Sequence, residues 1–326
     1  MLFNSLNKKL TAVFLAVIIL SLVVTVSILF VTSASSLNDM SERQQMEVEQ
    51  TVKTHFEHTA NELMNVSSLY AQQPSISNAI TSEDHPQLER VIMPIFNQLQ
   101  AERNLTVFEV GDIDGNVLMR GHEPEKFGDN KSDLPAIQST LAGTSSAGFE
   151  FGASGLSVRA FVPIVKDGNI IGTLQTGLDD TFAKDLQQLL PDVTINLYNA
   201  EQTVVVSSNE QNIGQKIQDH EMAQTIYNGE SARIKSDTLI ESYMPMYDPT
   251  NTQIIGIIHI SQDISIIAQT QTKQFIVSAI VLLVAIVIGV IVAILFSRSI
   301  SKPVKTVSEH MSVLATGHLH NELHLQ

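Results

Sequence analysis

Cysteine is absent from all 326 residues. Disulfides and Cys-ligated metal sites are thereby excluded, which suits an exported domain. Tryptophan is absent too. Basic charge is scarce: 19 Lys and Arg stand against 34 Asp and Glu, a net charge of −15. Phosphate binding needs clustered cations, so this balance argues against nucleic acid as a partner. There is no Gly-rich phosphate loop and no nucleophile elbow. No Ser/His/Asp set can be argued from spacing. The expectation is a protein that is not an enzyme, with no catalytic residue and no cofactor.

Charge is also missing locally. Residues 10–38 contain none, and Val, Ile and Leu dominate residues 11–31. That run is long enough for ~30 Å of hydrocarbon, and longer than the ~7–15 apolar residues of a signal peptide. Residues 275–296 are a second uncharged block. Lys8 and Lys9 precede the first block, and Arg298, Lys302 and Lys305 follow the second. The positive-inside rule then puts both termini in the cytoplasm. Residues 33–273 are expected outside a cell (inner) membrane crossed twice, with membrane lipid as a contact.

Between the spans, apolar residues at Leu37, Met40, Val48, Val52, Phe56, Leu63, Val66 and Tyr70 predict one long helix that ends before Pro74. A second helix is predicted over 86–103, with Pro94 inside it. From Leu105 the period changes to two. Strands are predicted over 105–110 and 116–120, around Asp114-Gly115, and from Phe149. The segment 157–180 reads as a tight hairpin turning at Asp167-Gly168. A short helix over 181–190 leads to a second strand series: 193–198, 203–207, 239–246 and 253–261.

The two series look like copies. Gly128 matches Gly214, Gly143 matches Gly229, Pro163 matches Pro245, Gly172 matches Gly256 and Asp179 matches Asp263, at offsets of 82 to 86. A near-constant offset over five landmarks indicates an internal duplication. The fold class expected is α+β: two tandem modules on a long N-terminal helix, between two transmembrane helices.

After the second span, Ile300, Val304, Val307, Met311 and Leu314 form a heptad seam, with Pro303 in a first helical turn and Gly317 ending the helix. A single seam helix cannot bury itself, so a homodimer is expected. The chain is also expected to be the front part of a longer protein, whose missing C-terminal part would reach downstream signalling proteins.

This order of elements resembles bacterial methyl-accepting chemotaxis receptors with a double Cache sensor and a HAMP linker. ISKPVKTVSEHMSVLATGHL is similar to the first half of HAMP, and RGHEPEKFGDN, GLSVRAFVPI and GTLQTGLDD are similar to Cache sequences. The resemblance implies this division: 1–10 cytoplasmic, 11–32 first span, 33–103 stalk and packing helices, 104–190 membrane-distal module, 191–273 membrane-proximal module, 274–296 second span, 297–326 partial HAMP. It implies a chemotaxis transducer that senses a small extracytoplasmic ligand. Histidine kinases and diguanylate cyclases use the same front half and are the alternative; a scaffold module without a pocket is a further one. The resemblance also makes the distal module the ligand binder. The amino-acid-sensing Cache pattern uses a pocket Trp, whose absence here argues against an amino-acid ligand of that type.

The duplication itself points to a site. Aligned on the prolines, Arg159 falls opposite Glu241; aligned on Gly128 and Gly214, Arg120 falls opposite Val206, His122 opposite Ser208 and Lys131 opposite Ile217. The first copy thus has cations that the second lacks. Strand alternation puts Val158, Ala160, Val162 and Ile164 on one face, and Arg159 and Phe161 on the other. Thr173, Gln175, Gly177 and Asp179 share a face of the returning strand. Arg grips a carboxylate with two parallel hydrogen bonds. The expected ligand is therefore a small organic acid held by Arg159, beside Phe161, Gln175 and Asp179, with Arg120, His122 and Lys131 at the rim. The structural alternative for Arg159 is an ion pair with Asp179, Glu150 or Glu109. No metal site is expected: residues 112–116 read as a turn and not a calcium loop, His55 and His58 as helix surface, and His310, His318, His320 and His324 as connector surface.

Overall fold

A computed structural model describes residues 6–82, 84–152, 155–179 and 181–315. The chain divides into two units: its two ends, Met1–Glu42 with Ser265–Gln326, and the central Arg43–Ile264. Helices α1 (Leu6–Ala71) and α7 (Ser265–Ala315) supply the first unit. Their apolar stretches are long and apolar enough to cross a membrane. They run antiparallel: Phe14 meets Phe296 edge-on at 5.2 Å and Phe30 meets Phe275 at 5.8 Å. Gly289 permits the approach, since a Cβ there would stand 2.8 Å from Ile18 Cγ2. The expected helix start at Pro303 is not found, because α7 runs through that proline to Ala315. The turns on either side remain helical, and one proline removes only one intrahelical bond. Gly317, His318, His320 and His324 lie outside the described residues.

In the central unit α1 carries a buried stripe, Val48, Val52, Phe56, Ala60, Leu63, Ser67 and Ala71, spaced by three or four residues. Met40, expected on that stripe, is exposed. Pro74 does end α1, and it also opens α2 (Pro74–Thr81), where its missing N–H costs no hydrogen bond. Helix α3 (His85–Arg103) follows, closed by Asn104 in the left-handed conformation at φ 54°.

The first sheet comprises β1 (Val107–Asp112), β2 (Val117–Arg120), β3 (Ser146–Gly152), β4 (Gly155–Lys166) and β5 (Asn169–Leu178), in the order β2-β1-β5-β4-β3. Helix α4 (Pro135–Leu141) lies between β2 and β3 in sequence. After α5 (Thr181–Leu189) the pattern repeats with β6 (Val193–Tyr198), β7 (Val204–Ser207), α6 (His220–Tyr227), β8 (Ala232–Lys235), β9 (Leu239–Tyr247) and β10 (Ile254–Asp263). Its order is β7-β6-β10-β9-β8, the first order over again, and all pairs in both sheets are antiparallel. The fold class is the α+β one expected, with two antiparallel sheets on a long N-terminal helix.

Each sheet is covered on both faces. One large core joins the α1 stripe, α2, α3 and α5 to Phe108, Val110, Val158, Ala160, Val162 and Leu174 of the first sheet and Ile195, Leu197 and Ile260 of the second. On the opposite faces, α4 packs Ala136 and Ile137 on Phe161, and α6 packs Ala223 and Ile226 against Tyr243 and Ile257. The β4–β5 turn has Asp167 at φ 50° and Gly168 at φ 80°, two positive values that match the strands' right-handed twist.

Gly172 and Gly256 mark the same close approach in the two copies. A Cβ on Gly172 would stand 2.1 Å from the Gly111 carbonyl oxygen, and one on Gly256 2.0 Å from that of Tyr198. Gly172→Ala should therefore destabilise the first sheet by about 1–3 kcal/mol, the usual cost of overpacking. Thermal unfolding checks this; an unchanged melting temperature would show that β1 and β5 separate freely at this point.

Candidate functional site

A cleft of about 1410 Å³ opens on the α4 side of the first sheet and is also lined by Asn199, Val205 and Val206 of the second. Arg159 forms part of its wall. The register fixes its surroundings: Arg159 pairs across to Gly148 on β3 and Gly177 on β5. These glycines and Gly152 leave room for the guanidinium. A Cβ on Gly152 would stand 1.8 Å from Arg159 Nη2. Arg159 is only 7% exposed. Its Nε donates to Ser157 Oγ at 2.8 Å. Its Nη1 donates to the Gln175 amide oxygen at 2.7 Å, with that amide turned so that its nitrogen donates to Glu109 Oε1 at 3.0 Å. Among the described residues, Arg159 forms no ion pair, and Glu150 and Glu109 act on it through their charge alone. Burial pushes the guanidinium down from its ordinary value, against the pull of Glu150 and Glu109. Arginine stays charged regardless.

The other cations are engaged. Glu109, 4% exposed, accepts from Arg120 Nε at 2.7 Å and from Lys131 Nζ at 2.7 Å. Arg120 also grips Asp129 with two parallel bonds of 2.8 and 2.7 Å and donates to the Lys126 carbonyl at 2.7 Å. His122 Nδ1 accepts from the Phe108 N–H at 3.4 Å, and burial pushes its pKa down. That imidazole is neutral and turned to the backbone.

Of the seven residues singled out from sequence, Arg159, Arg120, His122, Lys131 and Asp179 line the cleft. Gln175 lies beneath it, bridging Glu109 and Arg159. Phe161 is on the expected face but fully buried under α4, outside the lining. Lining residues that sequence reasoning did not single out include Asp129, Phe127, Phe151 and Ser157. The turn at 112–116 is a self-contained Asx turn, in which Asp112 Oδ1 accepts from the N–H groups of Asp114 and Asn116.

Register also corrects the comparison of the copies. Glu109 faces Arg120 as Asn196 faces Ser207, so the counterpart of Arg120 is Ser207, not Val206, and that of His122 is Asn209, not Ser208. The connection from β2 to its glycine is one residue shorter in the second copy, which displaces an alignment made on Gly128 and Gly214. Glu241 does occupy the place of Arg159, since each lies four residues before the matched proline and pairs four after that proline's partner. By the same register His259 replaces Gln175. There Asn196 Nδ2 meets His259 Nδ1 at 2.9 Å, and His259 Nε2 meets Glu241 Oε1 at 3.2 Å. Tyr243 stacks on the imidazole at 4.3 Å. The second copy fills its site with its own side chains.

Comparison with known proteins agrees with this architecture. Residues 41–268 match the dCache_3 family, the double sensory domain of two-component sensor kinase. The chain belongs to that family, which is sensory rather than catalytic. Among solved structures it is similar to the histidine kinase DctB sensor domain of Vibrio cholerae, at 14% identity and TM-score 0.50, covering 68% of this chain and 96% of that one. It is similar to the ligand-binding domain of the Campylobacter jejuni chemoreceptor Tlp3, solved with L-valine, at 15% identity and TM-score 0.47, covering 72% and 97%. A domain of a sensory box/GGDEF family protein from Vibrio parahaemolyticus is similar at 12% identity and TM-score 0.47, covering 67% and 94%. The likeness at TM-score 0.50 concerns the fold alone. No curated protein matches the chain.

The rim makes a prediction. Arg120→Ala leaves the buried Glu109 with one cation fewer and frees Asp129; breaking such a buried pair costs about 3–5 kcal/mol. The hydrogen bond from Arg120 holds the Asp129 carboxyl below its ordinary range. A depressed carboxylate contributes stability above its unfolded value and loses it as pH falls through the folded one. Wild type should therefore lose stability below the ordinary carboxylate range, and Arg120→Ala should lose less over the same interval. Melting temperature against pH reads this, and parallel profiles would contradict it.

Proposed function

We propose that this chain is a transmembrane signal transducer whose first module senses a small organic carboxylate outside the cell membrane. Arg159 carries the reading. It is a buried cation in the wall of a cleft, held by the neutral groups Ser157 and Gln175, with N–H groups left for an acceptor. The cations expected at the rim, Arg120 and Lys131, organise the cleft instead of gripping the ligand.

Lysines before the first apolar helix and basic residues after the second support cytoplasmic termini and an outer sensor, with modules at 104–190 and 191–273. The apolar seam of Val304, Val307 and Met311, exposed on α7, supports a homodimer and a HAMP-type relay into a chemotaxis output. The sensor half of a histidine kinase is the second reading, favoured by the description of the family itself.

The test is isothermal titration of the full chain in lipid nanodiscs with small carboxylates. Arg159→Ala should reduce affinity by about 2–5 kcal/mol, the cost of removing one partner from a buried, hydrogen-bonded charge pair. Equal affinity in the variant would reject this site.

A further inference from the structure

The second module holds a buried histidine at the place where the first has an amide. His259 and Gln175 occupy the same register position, and each bridges two polar neighbours in its own sheet. The amide of Gln175 does not titrate, whereas an imidazole changes charge between about pH 5 and 8. His259 is 6% exposed. Its contacts belong to a chain of hydrogen bonds whose direction is set from one end.

That end is the Asn209 N–H, which can only donate. It donates to Ser207 Oγ at 2.9 Å. The Ser207 hydroxyl in turn donates to Asn196 Oδ1 at 2.6 Å, where Asn212 Nδ2 also donates at 3.1 Å. With its oxygen so occupied, Asn196 presents Nδ2 to His259 Nδ1 at 2.9 Å, and that ring nitrogen accepts. The imidazole proton is left on Nε2, 3.2 Å from Glu241 Oε1. Every link fits a neutral ring. A charged ring carries an N–H at both nitrogens, and the one on Nδ1 would meet the Asn196 amide donor to donor.

We propose that His259 is a proton-operated switch in the second module: on protonation it gives up Asn196 and is held by Glu241, and the turned Asn196 amide releases Ser207 and Asn212.

The surroundings favour that exchange. The titratable side chains around the ring are Glu241 and Tyr243 of β9 and Tyr198 of β6, with Asp219 at the start of α6 acting on Tyr243 by its charge. The hydrogen bond from His259 holds the Glu241 carboxyl below its ordinary range. Burial pushes both tyrosines up. Over the interval in which an imidazole gains its proton, Glu241 is therefore already ionised and the two tyrosines are neutral. A charge on the ring strengthens its contact with Glu241 and sets it against Asn196. The consequence reaches the cleft, because Ser207 ends β7 directly after Val205 and Val206, which line it. Acid thus loosens the wall that the second module contributes, whatever the first module binds.

The experiment is amide hydrogen exchange on the full chain in lipid nanodiscs, at about pH 8 and about pH 5.5. It is read on peptides covering residues 204–212 and corrected for the intrinsic pH dependence of exchange. In wild type, protection of this segment should fall roughly three- to tenfold at the lower pH, the contribution of one hydrogen bond. His259→Gln keeps an acceptor for Asn196 and a donor for Glu241, and should be protected equally at both pH values. Asn196→Asp offers a carboxylate to the charged Nδ1–H while still accepting from Ser207 and Asn212, so it too should hold its protection in acid. A wild-type segment protected equally at both pH values overturns the inference, as does an acid loss that persists in folded His259→Gln. Melting temperature at the higher pH shows whether that variant folds; if it melts far below wild type, Asn196→Asp decides by the same comparison.

Discussion

Glu109 sits on β1, in the interior of a five-stranded sheet, with 4% of its surface exposed. A buried carboxylate is tolerated only when paired and hydrogen-bonded. Two of the first module's cations, Arg120 and Lys131, are drawn to it for that reason, and Gln175 adds a third donor. Arg120 in turn holds residues 126–129 of the rim through the Lys126 carbonyl and Asp129. The shape of the cleft mouth thus follows from one buried charge. So does the identity of the buried cation that pairs with no carboxylate among the described residues. With Arg120 and Lys131 committed, Arg159 is the buried one whose bonds go to neutral groups, and it is Gln175, tied to Glu109 at its other end, that keeps it in place.

Duplication makes the contrast sharper, because the backbone is held nearly constant while the chemistry is reversed. Glu109 becomes Asn196, Arg120 becomes Ser207, Gln175 becomes His259 and Arg159 becomes Glu241. The second set satisfies itself: Asn196 accepts from Ser207 Oγ at 2.6 Å and from Asn212 Nδ2 at 3.1 Å, leaving its amide nitrogen to donate to His259 Nδ1. His259 then carries its proton on Nε2, towards Glu241. Where the first module keeps donors open to a cleft, the second joins Asn196, Ser207, His259 and Glu241 to one another. One copy leaves a buried cation in a cleft wall and the other joins the corresponding side chains to one another, on the same strands.

Local chemistry was readable in the sequence, and non-local chemistry was not. Asp167-Gly168 favours two positive φ values, which a tight hairpin uses, so the turn between β4 and β5 could be placed to the residue, while the outer ends of the strands fall two residues from the expected 157–180. Alternation put Phe161 on the face of Arg159, but alternation cannot say what covers a face. Helix α4, absent from the pattern reading because seven residues are too few to show a helical period, lies over Phe161 and removes it from the site. Helix α2 was missed for a related reason, since Pro74 signals an end and a beginning equally. The engagement of Arg120 and Lys131 depends on β1–β2 register and on a glutamate more than ten residues away. The one-residue deletion after β7 displaced the landmark alignment, because glycines beyond a loop report the loop's length as well as the strand's register.

The helical core adds a mechanical consequence. Helix α1 is attached to both sheets at different heights. Near Gln45 and Glu49 it is bonded to the second module: Gln45 Nε2 donates to Ser242 Oγ at 2.7 Å, Ser242 also bonds Glu49, and Arg233 grips Glu49 with contacts of 2.7 and 2.8 Å. Higher up it is bonded to the first: Phe56 packs edge-on against Phe149 at 4.9 Å, and Ser67 Oγ meets Thr176 Oγ1 at 2.5 Å. The cleft is walled by residues of both sheets. A ligand that changes the spacing of those walls must bend α1, slide it along one sheet, or break one attachment. Packed cores resist continuous deformation and move between discrete arrangements. The lower attachment holds by polar bonds, buried at Gln45 and Ser242 and partly exposed at Glu49 and Arg233, whereas the upper one is locked by interdigitated aromatic rings. The polar end is the one that can exchange partners without opening a cavity, so displacement of the helix is expected to be expressed there.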